Sequence, residues 1–292
     1  MNKKITVIIV TYKTKLQILQ NCLNSIDKDI NIIIIENSKK FEDKKVLIEK
    51  YKNLKIYCTG SNLGYAKGNN FGLKKINTKY ALILNPDTIC QKKFFKKLYL
   101  TISNIKEFHI IGCQYSEKLI HKQAGFFNKK NTTKFNNFTK VDWVKGFSLI
   151  INKKKFKTKK IFDENYFLFF EEIDLFKSIK KISGNVYFSK NLKIKHLGLK
   201  SSTGKTKSDL EDLDNLKNWH YMWSNFYYHK KNYGYIFSFK KNYGKLLRSL
   251  IKVVFYSFLF QEKKRNKYFF RLLGLCHSII GNPSFFRSKN YS

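Results

Sequence analysis

In Tyr80-Ala81-Leu82-Ile83-Leu84-Asn85-Pro86-Asp87 the run Ala81 to Leu84 is apolar at every position and ends at Asn85-Pro86-Asp87. A strand that is apolar on both faces belongs in the middle of a parallel sheet, with helices covering each side. Proline has no N–H to give to a ladder, so pairing stops at Pro86, one of only two prolines in the chain. Asp87 is thereby held at the carboxyl edge of a sheet, where open α/β folds bind their ligands. In a chain with 20 acidic residues against 58 Lys and Arg, a carboxylate at that edge points to a metal or diphosphate site.

The residues before this run alternate strand and helix. Ile5 to Val10 reads as a strand, and Leu16 to Ile26 as a helix with Leu16, Leu19, Leu23 and Ile26 at helical spacing. Ile30 to Ile35 and Leu54 to Tyr57 are further strands; Asp43 to Tyr51 and Gly64 to Ile76 are further helices. This order predicts an α/β fold, a doubly wound and mostly parallel sheet with helices on both faces. Residues 94–160 mix a helix, short strands and lysine-rich loops. Residues 161–182 hold an aromatic turn and then a helix, and Val186 to Phe188 and Leu192 to His196 read as two short strands. From about Thr206 an acidic helix, Ser208 to Asn218, gives way to aromatic and basic sequence. The expected organisation is one domain over 1–205 and a helical, basic extension over 206–292.

An apolar content of 43% is enough for a core, which excludes a disordered basic protein despite the net charge of +38. Only four of the basic residues are arginines (Arg248, Arg265, Arg271, Arg287). An AT-rich genome accounts for lysine in place of arginine better than for the deficit of acids. The resulting field favours nucleotide diphosphates, anionic lipid and polyanions without choosing among them. Five cysteines form no Cys-x-x-Cys pair, which points to a reducing compartment and away from a zinc ribbon. The apolar N-terminal stretch is too short for a signal peptide, and no run of 18 apolar residues occurs, so a cytoplasmic protein without a spanning helix is expected.

Four further clusters carry chemistry. Thr11-Tyr12 and Glu36-Asn37 end the first two strands at the same edge as Asp87, where a carboxylate at Glu36 could accept the N3–H of a pyrimidine base. Taken singly, each is equally compatible with an ordinary polar loop. Asn62-Leu63-Gly64-Tyr65-Ala66, with Gly68-Asn69-Asn70-Phe71-Gly72, opens the third helix with glycines that permit close backbone approach. It is neither a dinucleotide fingerprint nor a Walker loop. Glu171-Glu172-Ile173-Asp174 follows the aromatic run Tyr166 to Phe170. Three acids at a helix N-terminus are favoured by the macrodipole alone, while an aromatic shell would raise the pKa of one of them, as a general base requires. His196 ends the last strand, followed by Lys200-Ser201-Ser202.

These segments, with Trp143-Val144-Lys145-Gly146 and Phe162-Asp163-Glu164, occur in an order that resembles family 2 glycosyltransferases of the rhamnosyltransferase-like subgroup, over about residues 5–202. The resemblance implies a GT-A fold and inverting transfer of a sugar, rhamnose among the candidates, from a nucleotide-diphospho-sugar to a hydroxyl of a lipid-linked or cell-surface glycan. It implies Mg²⁺ or Mn²⁺ as cofactor, with Asp87 as metal ligand in the place of the Asp-x-Asp motif and His196 near metal and diphosphate. It implies donor contacts from Thr11, Tyr12, Glu36, Asn37, Asn62, Gly64, Asn69, Asn85 and Asp87, and acceptor-side roles for Trp143, Lys145 and Gly146. The base falls in Glu171, Glu172 and Asp174, matched at Glu172. Four departures stand out: Glu36 where Asp is usual, Glu171-Glu172 for Glu-Asp, Asn85 at the first metal-motif position, and Lys145 where a small residue is common. Ser201, Ser202 and lysines are candidates to assist the diphosphate.

The extension adds a partner. Residues 230–292 hold fourteen Lys and Arg against the single acid Glu262. Leu246 to Phe260 and Tyr268 to Ile280 alternate apolar and basic residues, suited to an anionic membrane surface or, equally, to packing on the domain with a solvated lysine face. A peripheral location at the inner face of the cell membrane follows from the first option. A nucleic-acid-binding protein and a non-catalytic relative are the competing readings. The first has no need of Asp87, Glu171, Glu172 and Asp174, the intact Asp87, Glu172 and His196 speak against the second, and no nucleic acid is expected as partner.

Overall fold

The structure is a computed structural model that describes residues 4–105, 107–116, 122–127, 137–158, 160–198 and 206–287. The chain divides into two compact units. The first comprises Met1–Leu63, Lys67–Phe162 and Glu172–Ser202. The second comprises Gly64–Ala66, Asp163–Glu171 and Thr203–Ser292.

The first unit is built on a nine-stranded sheet. Strands β1 (Ile5–Thr11), β2 (Asn31–Glu36), β3 (Leu54–Cys58) and β4 (Tyr80–Leu84) are parallel and lie in the order β3-β2-β1-β4. Next to β4 runs β10 (Ser148–Asn152), antiparallel, and then β6 (Ile110–Gln114) and β11 (Val186–His196), which restore the direction of β4. Short antiparallel strands β5 (Thr88–Cys90) and β8 (Phe138–Val141) pair with β11. A separate two-stranded pair joins β7 (Ala124–Gly125) to β9 (Trp143–Val144). Every residue of β4, β6 and β10 is buried, as the apolar run at 81–84 requires of a central strand.

Helices α1 (Leu16–Asn24), α2 (Lys44–Lys50), α3 (Gly64–Lys75), α4 (Phe94–Asn104) and α5 (Glu171–Lys181) connect and cover this sheet. A Cβ at Gly68 would stand 2.8 Å from Val10 Cγ1, and one at Gly72 would stand 2.6 Å from Ile8 Cγ2. Those two glycines let α3 lie directly on β1. Helix α5 is anchored by the buried side chains of Leu175, Phe176 and Ile179, and Lys180 near its end pairs with Asp142 and stands over the Phe127 ring. All five cysteines are free thiols, and burial pushes those of Cys22 and Cys113 up to about 12.

The two short strands expected at 186–188 and 192–196 are one strand, β11, whose register shifts between Ser189 and Lys193. Its first half pairs with β6 and β8, its second half with β5, so the irregular middle is a change of partner within a continuous element.

In the second unit, α6 (Lys207–Tyr233), α7 (Tyr235–Phe258) and α8 (Glu262–Ile279) pack together. Helix α6 continues well beyond the acidic stretch at 208–218, because Trp219, Trp223 and Phe226 are buried along its inner side and carry it forward. It starts at a capping box in which Thr206 Oγ1 accepts the Asp209 N–H at 3.1 Å, and the Asp209 carboxylate accepts the Thr206 N–H at 2.9 Å. A Cβ at Gly274 would collide with the Trp219 carbonyl, so glycine sets how closely α8 approaches α6. Among the described residues, no helix is long and apolar enough to cross a membrane.

Candidate active site

Asp87 lies immediately beyond β4, after Pro86 has ended the ladder. Its backbone is fixed on both sides: the Asp87 carbonyl accepts the Leu197 N–H at 2.9 Å, and the Asn85 carbonyl accepts the Thr88 hydroxyl at 2.6 Å. Antiparallel pairing of β5 with β11 sets His196 opposite Thr88, which brings a histidine 109 residues away in sequence beside Asp87. His196 Nε2 stands 3.4 Å from Asp87 Oδ1. The imidazole is stacked on Phe147 at 5.0 Å and meets the edge of Tyr115 at 6.0 Å, so its plane is set by aromatic packing. Tyr115 is positioned in turn by Gln123, whose side-chain oxygen accepts the Tyr115 N–H at 2.7 Å. Neither Phe147, Tyr115 nor Gln123 was evident in sequence; an aromatic two residues past Lys145 was the only available signal.

These residues suit a divalent cation shared with a diphosphate. Asp87 is 1% exposed, and its Oδ1 accepts no hydrogen bond among the described residues. A buried carboxylate oxygen left in that state is costly unless a cation or a ligand completes it. Among the described residues, no three His, Cys, Asp or Glu side chains converge as a closed metal cage would. One carboxylate and one imidazole fit a cation whose remaining ligands come from substrate phosphates and water. Lys200, Ser201 and Ser202 lie outside the described residues.

Glu172, in the first turn of α5, sits against Gly146: a Cβ there would be 3.2 Å from Glu172 Cγ and 3.3 Å from Cδ. Burial pushes the Glu172 carboxyl above the usual glutamate range, while its own backbone N–H and then the Lys145 ammonium draw it partly back. Lys145 is itself exposed and donates its backbone N–H to the Gln123 carbonyl at 2.7 Å. Trp143, half-buried, forms part of the two-stranded pair with Gly125. One short stretch therefore serves two groups. Gly146 cradles Glu172, while Phe147 stacks on His196 and accepts the Asn85 N–H at 2.9 Å.

Asp174 and Glu171 are buried. The turn that leads into Glu171 contains Phe169 and Phe170, both left-handed, with φ of 68° and 67°. Two successive bulky residues there cost of the order of 1–3 kcal/mol each, strain of a kind that gathers at functional sites. Gly64, at φ 76°, lies against the backbone of the same turn: a Cβ would collide with Phe167, and the Tyr65 N–H donates to the Phe167 carbonyl at 3.0 Å.

At the ends of β1 and β2, Glu36 is fully buried. Its Oε2 accepts the Thr11 hydroxyl at 2.6 Å and its Oε1 the Lys13 N–H at 3.1 Å, so the carboxylate orders the turn after β1. Burial, helped by the Glu36 charge, pushes the Tyr12 hydroxyl up to about 12. Asn37 donates its N–H to the Thr11 carbonyl at 2.8 Å, and its side-chain oxygen accepts the Thr59 hydroxyl at 3.3 Å. Asn69 is fully buried on α3 and Asn62 is half-buried before it. The neighbouring Asn70 clamps Phe162 through two backbone hydrogen bonds of 2.8 and 3.0 Å.

Residues 6–174 match the family model for glycosyl transferase family 2. A curated relative, the low-salt glycan biosynthesis hexosyltransferase Agl10 of Haloferax volcanii, is 24% identical over 190 residues, covering 58% of this chain and 59% of its own. The chain thus spans about three-fifths of the length of the curated relative it matches. Among solved structures, the mannosyltransferase PcManGT from Pyrobaculum calidifontis, in complex with GDP-Man and Mn²⁺, superposes with a TM-score of 0.54 at 9% identity, over 95% of this chain and 87% of that one. GalNAc-T7 with UDP, GalNAc and Mn²⁺ gives 0.54 at 12% identity, over 77% and 50%. TarS of S. aureus gives 0.51 at 14% identity, over 74% and 39%. The sheet, its flanking helices and these likenesses make the fold GT-A-like.

Proposed function

The chain belongs to glycosyl transferase family 2, and from that premise we propose that it moves a sugar from a nucleotide-diphospho-sugar to a hydroxyl of a lipid-linked or cell-surface glycan, with inversion at the anomeric carbon. In this reading residues 1–205 carry the chemistry, and residues 206–292 hold the enzyme at the inner, anionic face of a membrane. The observation that carries it is the Lys145–Phe147 stretch, which touches Glu172 at one end and the His196 side of the Asp87 pair at the other.

Asp87 and His196 would hold Mg²⁺ or Mn²⁺, a charge that stabilises a departing diphosphate. Glu172 takes the proton of the acceptor hydroxyl as that oxygen attacks the anomeric carbon from the face opposite the diphosphate. The new C–O bond forms as the bond to the diphosphate breaks, and a single displacement inverts the centre. Burial makes Glu172 a stronger base than a free carboxylate, and Lys145 keeps it ionisable. Thr11, Tyr12, Asn37, Asn62 and Asn69 are assigned to the donor's nucleotide end, with Glu36 and Gly64 shaping it through the turns they hold. Trp143 and Lys145 are assigned to the acceptor.

Release of nucleoside diphosphate from a panel of nucleotide-sugars, with and without Mn²⁺, tests this reading. The motif pattern makes an activated rhamnose the first donor to try, followed by activated hexoses. Mn²⁺-dependent release from one donor is expected; release from none, with or without an acceptor, refutes it. Nucleic-acid binding leaves the buried Asp87 and the Glu172 cradle without a purpose.

A further inference from the structure

Helix α7 is turned inside out for a water-soluble protein. Its fully buried residues are Ser238, Asn242 and Ser249, with Leu246 partly buried against Met222, Phe226 and Leu275, while most of its large apolar side chains face outward. Ile236, Tyr243, Leu250, Val254 and Phe258 recur at spacings of seven and four, with Ile251 beside Leu250 and seven before Phe258, which places them along one side of the helix. Each is at least half exposed, Ile236 reaching 71% and Phe258 78%. The polar inner side is satisfied within the bundle: Ser238 Oγ donates to the Phe226 carbonyl at 2.8 Å, and Lys245 Nζ bonds Asn225 and Asn242. These hydrogen bonds and the packing of Leu246 fix the orientation of the helix. The apolar side continues into the turn before α8, where Phe260 is 94% exposed and left-handed at φ 51°. A bulky residue held in that conformation and in water is doubly unfavourable unless something covers it.

We propose that this face, from Ile236 to Phe260, lies in the headgroup region of an anionic bilayer, with Phe258 and Phe260 as its deepest points. The proposal deepens the membrane part of the function above. Charge decides between lipid and a second copy of the chain as the occupant. Arg248 and Lys252 flank the apolar side on α7, Lys263 and Lys264 follow the tip, and residues 230–292 carry a net +13. Two copies meeting there would press like charges together, whereas an anionic surface complements them. An amphipathic helix with a basic flank, too polar on its inner side to cross a membrane, lies in the interface plane.

Co-sedimentation of the full chain with phosphatidylcholine vesicles, with and without 30% phosphatidylglycerol, tests the assignment. Binding to the anionic vesicles that falls between 0.05 and 1 M salt is expected, as screening shortens from roughly 14 to 3 Å. The variant Ile251→Ser/Phe258→Ser/Phe260→Ser should lose at least tenfold in partitioning. Arg248→Gln/Lys252→Gln should lose more than tenfold at low salt, at about fivefold per cation. Lys45→Gln/Lys50→Gln on α2 removes the same charge elsewhere and should lose less than threefold. Donor turnover without vesicles should be unchanged in all three, which separates failure of the docking surface from failure of the enzyme reading. Equal losses in the two charge variants, binding to neither vesicle, or a dimer dissolved by the serine variant would each overturn the proposal.

Discussion

Replacing Gly146 by alanine should slow turnover about tenfold without weakening donor binding. The added Cβ would lie 3.2 Å from Glu172 Cγ and 3.3 Å from its Cδ and Oε1. Carbon atoms at rest stand about 3.5–4.0 Å apart, so the carboxylate must retreat by about 0.3–0.8 Å. A misplacement of about 1 Å costs around 10²-fold in a well-aligned reaction, and half of that costs about tenfold, or roughly 1.4 kcal/mol in the barrier. The backbone at Gly146 lies outside the left-handed region, so alanine fits it without strain. The reduced entropy of the unfolded chain offsets the steric cost by about 0.4–1 kcal/mol, and the melting temperature should move by only a few degrees. Steady-state release of nucleoside diphosphate, with donor and acceptor varied separately, gives the kcat and KM needed. A kcat within twofold of wild type would refute the placement of the base against Gly146. If Glu172→Gln were equally silent and Glu171→Gln inactive, the base would be Glu171.

Glu172→Gln should lower kcat by about 10²–10⁴-fold, read in the same assay. Because burial raises the Glu172 pKa, wild-type activity should rise with pH along a limb above the usual glutamate range. The native state then keeps its proton at pH values where the unfolded chain has lost it, so stability falls as pH rises through that window. Glu172→Gln should be the more stable protein above it, by chemical denaturation at several pH values. Asp87→Ala should abolish Mn²⁺-dependent turnover and the Mn²⁺-dependent thermal shift with nucleoside diphosphate. Its fold should persist, since the Leu197 contact uses the backbone carbonyl; full activity in metal-free buffer would sink the assignment. Thr206→Ala removes the capping box of α6 and should cost about 0.5–2 kcal/mol, while Thr206→Ser should restore most of it.

The first ninety residues were legible because each strand there is a short apolar run between polar turns. β1 to β4 begin and end within a residue of the expected limits. The pairing of Asp87 with His196 was not readable from spacing, because it depends on β5, three residues long, lying against β11. The Phe147 and Tyr115 rings around His196 were hidden for the same reason: long-range stacking leaves no periodic trace in sequence. Phe169 and Phe170 looked like an aromatic turn, yet nothing in their composition signals two left-handed residues. In the extension, alternation of apolar and basic residues announced helices but not their orientation. Ser238 and Asn242, through partners on α6 and within α7, and Leu246, packed on the bundle's apolar cluster, mark the side that turns inward.

The Lys145–Phe147 stretch also bears on how such an enzyme can diverge. It leads into β10, which is buried at all five positions and gripped by strands on both sides, so it cannot yield at one end alone. A substitution that shifts Phe147, and with it the His196 ring stacked on it, will drag Gly146 along and reposition Glu172. Changes of donor preference should therefore arrive with altered turnover toward the acceptor, and compensating substitutions should fall on α5. On the proposed assignment of roles, recombining donor-side and acceptor-side residues from separate lineages would yield slow hybrids, since the His196 and Glu172 sides hang on one rigid stretch.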